Sequence, residues 1–122
     1  MKKKRNHNKR LYERRRRRNE FALRMLPYRY NVKKRKNTHP LLVSCGHCKT
    51  PIAIYQKGGK GNLIKMQFPR ILESAIDIRR KKGHFQCPNC RETLAKRGDF
   101  HGTETYWILR GKVNTKILSH YE

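Results

Sequence analysis

Carboxylates are scarce in this chain of 122 residues: 8 Asp and Glu residues accompany 32 Lys and Arg residues, for a formal net charge of +24 at pH 7. So few acidic residues disfavour most hydrolytic active sites, which depend on positioned carboxylates. Long apolar runs are also missing. Because no stretch approaches the roughly eighteen apolar residues that a membrane-spanning helix needs, we expect no membrane span. With 35% hydrophobic and 33% charged residues, the chain can build only one modest core.

Features of an amino-terminal targeting segment are missing as well. The start of the chain lacks the apolar stretch of a secretory signal. Its first serine is Ser44, and Glu13 and Glu20 interrupt the basic run. These features disfavour a Ser-rich, acid-poor organelle transit peptide.

The positive charge divides the chain into two regions. Residues 1–40 hold 17 Lys and Arg against 2 Asp and Glu, whereas residues 41–122 hold 15 against 6. Self-repulsion within 2–5 and 14–18 predicts an extension that becomes ordered on a polyanion. Apolar residues at helical spacing predict a helix over 9–26, ended by Pro27. We therefore expect a basic, partly helical extension over 1–40 and a folded domain over 41–122.

The composition of the extension favours RNA as the polyanion. Its central block is rich in Arg, and Tyr12, Phe21, Tyr28 and Tyr30 are interleaved with the cations. Arginine forks bind phosphate in a bidentate way, and aromatic rings stack on unpaired bases. A membrane surface is disfavoured because the apolar stripe of the helix would be too narrow. A solvated tail or a nuclear import signal remains the simpler alternative.

Two basic clusters in the second region are further candidates for RNA contact. In the cluster 57–61, glycines would let the backbone approach a phosphate, although glycines also suit any hairpin tip. The cluster 79–82 is expected to form an exposed turn. The complete set of candidate RNA-binding residues comprises cations of the extension and of these clusters: Lys2, Lys3, Lys4, Arg5, Lys9, Arg10, Arg14, Arg15, Arg16, Arg17, Arg18, Arg24, Arg29, Lys33, Lys34, Arg35, Lys36, Lys57, Lys60, Arg79, Arg80, Lys81 and Lys82.

The 4 cysteines form two C-x-x-C pairs, which we call the first knuckle (45–48) and the second knuckle (87–90). Two residues between thiolates let one tight turn direct both sulfurs at the same ion, and two such turns complete a tetrahedral shell. The pattern predicts one structural Zn²⁺, since four protein ligands leave no open position. The predicted ligands are Cys45, Cys48, Cys87 and Cys90.

Other uses of the cysteines fit less well. Two disulfides would require an oxidising compartment, and a thioredoxin-like pair needs one C-x-x-C in a larger βαβ setting. A rubredoxin-like iron site uses the same two turns, but the basic surroundings disfavour it. Lys49 and Arg91 follow the knuckles, where Gly is common, and should favour deprotonated, metal-bound thiolates. We expect His47 to face solvent or RNA.

Alternating apolar residues predict mainly strands in the second region. Strands are expected over 41–44, 52–55, 64–68 and 105–109, with the second and third forming a hairpin whose tip is 56–62. Residues 71–78 are ambiguous between helix and strand, and 110–116 are expected to turn and pair onward. No catalytic constellation is recognisable: Glu73 and Asp77 would form a solvated acidic patch on a helix, while Tyr106 and Trp107 would lie in the core and at its rim.

The two knuckles and the basic extension resemble the zinc-ribbon ribosomal proteins, whose small Cys₄ ribbons sit on rRNA while basic extensions thread between RNA helices. The resemblance implies a small β-rich zinc ribbon with antiparallel hairpins and a basic, partly helical N-terminal extension. It implies a structural, non-enzymatic role in translation, with rRNA as the partner and neighbouring ribosomal proteins as further candidates. The expected location is the cytoplasmic ribosome, or alternatively an organellar one, and no membrane or small-molecule substrate is expected.

Two other classes of protein stay open. A zinc-ribbon DNA-binding or transcription-associated regulator would favour a recognition helix with side chains spaced to read base edges. The extension here is instead an undifferentiated run of Arg and Lys. The other class is an RNA-processing or modifying factor, whose active site the sequence does not reveal.

Overall fold

The computed structural model describes residues 25–80, 82–119 and 121, so the helix predicted over 9–26 lies outside the described residues except for its last two. No helix in this part of the chain is long and apolar enough to cross a membrane. The described residues form nine strands and a short 3₁₀ turn (Phe68–Arg70). In chain order the strands are β1 (Tyr28–Arg29), β2 (Thr38–Cys45), β3 (Pro51–Gly58), β4 (Lys65–Gln67), β5 (Ile71–Ser74), β6 (Phe85–Gln86), β7 (Thr93–Phe100), β8 (Thr103–Ile108) and β9 (Val113–Ile117).

The strands form two sheets, each built from antiparallel pairs. The first sheet has the order β1-β5-β3-β2-β9, and the second has the order β4-β8-β7-β6. Strands β2 and β3 form a hairpin that turns at the first knuckle. Strands β6 and β7 form a hairpin that turns at the second knuckle. Each sheet therefore contributes one pair of cysteines.

The predicted hairpin between 52–55 and 64–68 is wrong, because its two strands belong to different sheets. Strand β3 pairs with β2 and β5, and residues 56–58, predicted as the hairpin tip, continue β3. Strand β4 pairs with β8, which places Met66 opposite Tyr106. Strand β9 also lies in a different sheet from the strand before it: it follows β8 in the chain but pairs with β2 of the first sheet. Alternation identifies which residues face a core, but it does not determine which strand lies alongside.

A hydrophobic core cluster of the described residues draws its members from both sheets. Val43 and Ile52 of the first sheet and Phe85 and Tyr106 of the second are completely buried and belong to one cluster. The ring of Tyr106 lies 5.2 Å from that of Phe85, measured between centroids, and 4.9 Å from that of Phe68. Burying each large apolar side chain contributes about 1.5–3 kcal/mol. The shared core therefore holds the two sheets together around the knuckles.

Residues 25–40, which carry part of the basic region, also pack on the first sheet. Leu26 is buried, and β1 pairs with β5 at the sheet edge. The buried side chain of Gln56 accepts a hydrogen bond from the Arg35 backbone N–H (2.9 Å) and donates one to the Lys33 carbonyl (3.1 Å). These bonds fix the backbone of the basic segment 33–36 against β3.

Glu73 is a buried residue of β5, so its predicted place on a solvated helix face is wrong. The ambiguous segment 71–78 forms a strand followed by a turn, and the side chain of Glu73 has no exposed surface. The Tyr121 hydroxyl donates to its carboxylate, and Arg29 Nε lies 4.0 Å from Oε2. Desolvation raises the pKa of Glu73 above its ordinary value despite these partners. Side chains four residues apart are neighbours on a helix, so the predicted acidic patch of Glu73 and Asp77 depended on a helix that does not form.

Candidate metal centre

The two knuckles have the same backbone geometry. In the first, the N–H of Lys49 donates to the Cys45 carbonyl (2.9 Å), and in the second, the N–H of Arg91 donates to the Cys87 carbonyl (2.8 Å). Lys49 and Arg91 have φ values of 67° and 69°, in the left-handed region that favours glycine. The chain therefore places a cation, and not the usual Gly, at this position while keeping the same conformation.

A second backbone hydrogen bond closes each hairpin behind its knuckle. The N–H of Cys45 donates to the Thr50 carbonyl, and the N–H of Cys87 donates to the Glu92 carbonyl, each at 2.8 Å. In both knuckles the first cysteine is fully buried and the second is partly exposed. The two turns, one from each sheet, therefore share their backbone hydrogen bonds and the burial of their cysteines.

The four sulfurs lie within 4.8 Å of one another. Each of the close pairs joins one knuckle to the other: Cys45 Sγ lies 3.7 Å from Cys90 Sγ, and Cys48 Sγ lies 3.5 Å from Cys87 Sγ. These separations exceed the S–S bond of about 2.05 Å. They match the spacing of about 3.8 Å that a tetrahedral ion with metal–sulfur bonds of about 2.3 Å imposes. The structure brings the four predicted ligands together, and they could hold one metal ion.

The thiols differ in acidity because their surroundings differ. Side-chain hydrogen bonds from Thr50 and Asn89 lower the pKa of Cys48 to about 5, and Thr50 Oγ1 lies 3.1 Å from its sulfur. At Cys90, the backbone hydrogen bond from Glu92 lowers the pKa, but desolvation and the neighbouring thiols outweigh it and raise the pKa to about 12. Desolvation also raises the pKa of Cys87. Ligation requires deprotonated sulfurs, so an ion bound here would release protons.

Lys112, just before β9, contacts the first knuckle and Glu92, which lies two residues after the second. Its carbonyl accepts a hydrogen bond from the Gly46 N–H (2.8 Å), and its ammonium forms an ion pair with Glu92 (2.5 Å). A Cβ atom at Gly46 would lie 3.0 Å from the Lys112 carbonyl oxygen, so a side chain here would force the backbone of Lys112 to shift by a few tenths of an ångström. Lys112 therefore connects the turn of the first sheet to the turn of the second.

Three residues of this site are not among those that the sequence predicts: Thr50, Glu92 and Lys112. Thr50 and Glu92 each lie two residues after the last cysteine of a knuckle, so their equivalent spacing is a signal that could have found them. Lys112 is 20 residues from Glu92, and no local pattern indicates their contact. His47 is exposed, as expected.

The candidate RNA-binding cations are only partly within the described residues. Those that are described lie at the surface, with Lys57 partly buried, and two of them form ion pairs: Arg29 with Glu73 and Arg80 with Asp77 (3.7 Å). The candidates that lie outside the described residues are Lys2, Lys3, Lys4, Arg5, Lys9, Arg10, Arg14, Arg15, Arg16, Arg17, Arg18, Arg24 and Lys81.

Tyr30, one of the aromatic residues interleaved with the cations, supports the fold. Its hydroxyl donates to the Ile76 carbonyl (3.2 Å) and accepts from the Ile78 N–H (3.0 Å). The guanidinium of Arg79 lies 5.0 Å from the centre of its ring. Tyr30 therefore holds the turn after β5, and its ring already has a cationic partner.

Comparisons with known proteins do not assign the chain to a family. No protein-family model, curated protein or solved structure matches it. The chemistry of the site follows from its geometry alone. Four sulfurs at this spacing can surround an ion, and full coordination by protein ligands leaves no position for water or substrate.

Proposed function

We propose that this protein is a structural RNA-binding protein, a ribosomal protein in which a zinc ribbon anchors a basic extension on rRNA. The observation that carries the proposal is the imbalance of 32 Lys and Arg against 8 Asp and Glu. Some of the few carboxylates are already paired with cations of the chain: Asp77, Glu92 and Glu104. Most of the positive charge therefore remains for an external polyanion.

Zinc is the ion that we propose for the cysteine cluster. A closed shell of four thiolates is typical of structural Zn²⁺ sites, and such a site contributes folding energy without taking part in a reaction. Iron bound by the same four sulfurs is the alternative. In either case the ion would connect the hairpin of one sheet to the hairpin of the other.

The basic segment 33–36 supports binding to RNA by a preformed surface. Its four cations are exposed, while Gln56 holds the backbone at Lys33 and Arg35. Such contacts read phosphate positions and not base sequence. A chain that neutralises ten phosphates should show a log–log salt slope of about −7 to −9.

Sedimentation of the tagged full-length protein from a lysate, through gradients at low and at high salt, tests the ribosomal role. We expect the protein in ribosomal fractions under both conditions. Release only at high salt would indicate a loosely held factor. Absence from ribosomal fractions at both salt concentrations would contradict the ribosomal assignment.

Binding of the purified protein to structured RNA and to duplex DNA at matched salt separates RNA binding from DNA regulation. We expect tighter binding to RNA. In the variant Lys34→Gln with Lys36→Gln, the magnitude of the salt slope should fall by about 1.5. The matched control, Arg110→Gln with Lys116→Gln, removes the same charge from exposed residues at another place and should change the slope less. Preference for duplex DNA would contradict the proposal.

A further inference from the structure

Aromatic side chains gather on the outer face of the second sheet. We call Phe100, His101 and Trp107 the aromatic strip. Phe100 ends β7, His101 is exposed in the turn that follows, and Trp107 of β8 keeps 37% of its surface exposed. Strand register places Lys96 of β7 and Lys65 of β4 directly opposite Trp107, on either side of it. Residues directly opposite each other share a face of the sheet, so the strip is flanked by two lysines.

The rings of the strip contact one another and a cation. Phe100 lies 4.4 Å from His101 and 5.9 Å from Trp107, measured between ring centroids, with interplanar angles of 72° and 67°. The ammonium of Lys65 lies 4.3 Å from the centre of the Phe100 ring and 5.9 Å from that of Trp107. The three rings are therefore in contact, the Lys65 ammonium lies over the face of Phe100, and the partly exposed indole of Trp107 is the ring with the more distant cation.

Gly98 allows the indole to take this position. A Cβ atom at Gly98 would lie 3.0 Å from Trp107 Cδ1 and 3.2 Å from Nε1, so a larger residue would require the ring to shift by a few tenths of an ångström. Glycine inside a strand weakens the strand and often marks a close approach by another group. Here the approaching group is the indole, which crosses β7 toward Phe100.

We propose that the aromatic strip binds unpaired nucleobases of single-stranded RNA, with Lys65 and Lys96 placed near the phosphates. This inference rests on the proposed RNA-binding function and adds the class of RNA, an unpaired segment. Exposed aromatic rings beside cations, such as Trp107 between Lys65 and Lys96, are the combination on which single-stranded nucleic acids bind. The core of a protein interface is instead depleted of Lys.

Charge on this face also favours a nucleic acid. None of the paired residues on it is acidic; the exposed Asp99, whose carboxylate accepts a hydrogen bond from the Gly102 N–H in the turn beside His101, is a residue of the opposite face. The paired residues on this face are Lys65, Gln67, Lys96, Gly98, Phe100, Thr103, Thr105 and Trp107.

The fluorescence of Trp107 tests the proposal directly, because it is the only tryptophan of the chain. The full-length protein is titrated with a single-stranded RNA oligonucleotide, with the duplex of the same sequence, and with inorganic polyphosphate of matched charge. Stacking of a base on the indole should quench its emission. We expect strong quenching by the single strand and little by the duplex or by polyphosphate, although all three bind the cations.

Variants with a labelled oligonucleotide give an independent measurement. Trp107→Ala should weaken binding of the single strand about tenfold, whereas Trp107→Phe should retain most of it, since a base can stack on either ring. Gly98→Ala keeps the indole but displaces it, and it should reduce the quenching. Affinity for duplex RNA should stay the same in all three variants, which serves as the control for folding.

The outcomes distinguish this inference from the function on which it rests. Tight binding of single-stranded RNA with unchanged Trp107 emission and no effect of Trp107→Ala would overturn the strip as a nucleobase site. The general RNA-binding role would then stand, and a protein would become the alternative occupant of this face. If the protein binds no RNA at all, both proposals fail.

Discussion

The first and second knuckles share their backbone but not their surroundings. Both close with two equivalent backbone hydrogen bonds, and in both a residue with left-handed backbone conformation follows the second cysteine. The residues between the cysteines differ: Gly46 and His47 in the first knuckle, Pro88 and Asn89 in the second. The first knuckle is covered by the backbone of Lys112, whereas Pro88 and Asn89 are exposed. The shared features, which are the hydrogen bonds and the backbone conformation, are those that ligation requires. The features that differ, which are the intervening residues and their contacts, concern packing.

This difference separates two sources of stability. Ligation should depend equally on both knuckles, because a tetrahedral site needs two sulfurs from each. Packing should depend mainly on the first knuckle, because Gly46 lies against the backbone of Lys112, whereas Pro88 and Asn89 of the second knuckle are exposed. Substitutions at equivalent positions of the two knuckles measure each source by itself.

The largest effect is expected from loss of a ligand. Cys45→Ser and Cys87→Ser occupy equivalent positions and should each abolish tight metal binding and destabilise the fold by more than about 4 kcal/mol. Metal content and thermal unfolding measure this. His47→Ala, inside the first knuckle but exposed, is the control and should change neither. Retention of the metal by one of the two cysteine variants would mean that the knuckles do not share one ion.

A smaller effect is expected from crowding the first turn. Gly46→Ala places a Cβ atom 3.0 Å from the Lys112 carbonyl oxygen and should cost about 1–3 kcal/mol. Pro88→Ala, at the equivalent exposed position, should change the free energy of unfolding by less than about 0.5 kcal/mol. Denaturant titration of the metal-loaded protein compares them. Equal effects would show that packing around the knuckles is equivalent after all.

The left-handed residues should respond alike in the two knuckles. Lys49→Gly and Arg91→Gly relieve an unfavourable backbone conformation but increase the freedom of the unfolded chain, for a net gain of up to about 1 kcal/mol each. Lys49→Ala keeps the strained φ and should give no gain. A gain in only one knuckle, measured by thermal unfolding, would contradict the equivalent geometry.

The ion pair between Lys112 and Glu92 should have the smallest effect. Its hydrogen bond and charge lower the pKa of Glu92, so its contribution is present above the ordinary carboxylate range and is lost as the pH falls through that lowered pKa. Glu92→Gln should lower the melting temperature slightly at pH 7, and the difference should shrink in about 1 M salt. A difference that does not shrink with salt, or no difference at all at low salt, would contradict a stabilising role for the charge of Glu92.

The sequence was most informative where the signal is local. The spacing of the cysteines predicted which four sulfurs meet, and alternation predicted the strands around Val43, Ile54 and Tyr106. Their partners depended on distant residues: β4 joins β8 because Met66 is buried beside Tyr106, and no pattern near Met66 specifies this pairing.

Contacts between distant segments also explain the two features that the sequence does not predict, the burial of Glu73 and the position of Lys112. Glu73 was expected at the surface because charged residues are seldom fully buried. Its burial depends on Tyr121 and Arg29, which come from the two ends of the described chain. Lys112 likewise reaches the knuckles only because β9 returns to the first sheet. Such contacts follow from the completed topology.

X-ray absorption at the metal edge of the purified full-length protein shows whether one ion joins the two knuckles. We expect one zinc ion per chain with four sulfur ligands at about 2.3 Å and no nitrogen or oxygen ligand. Iron bound by the same four sulfurs would leave the linkage of the two knuckles as described and would correct only the identity of the metal. A folded protein without a bound ion, or an ion with fewer than four sulfurs, would contradict the account.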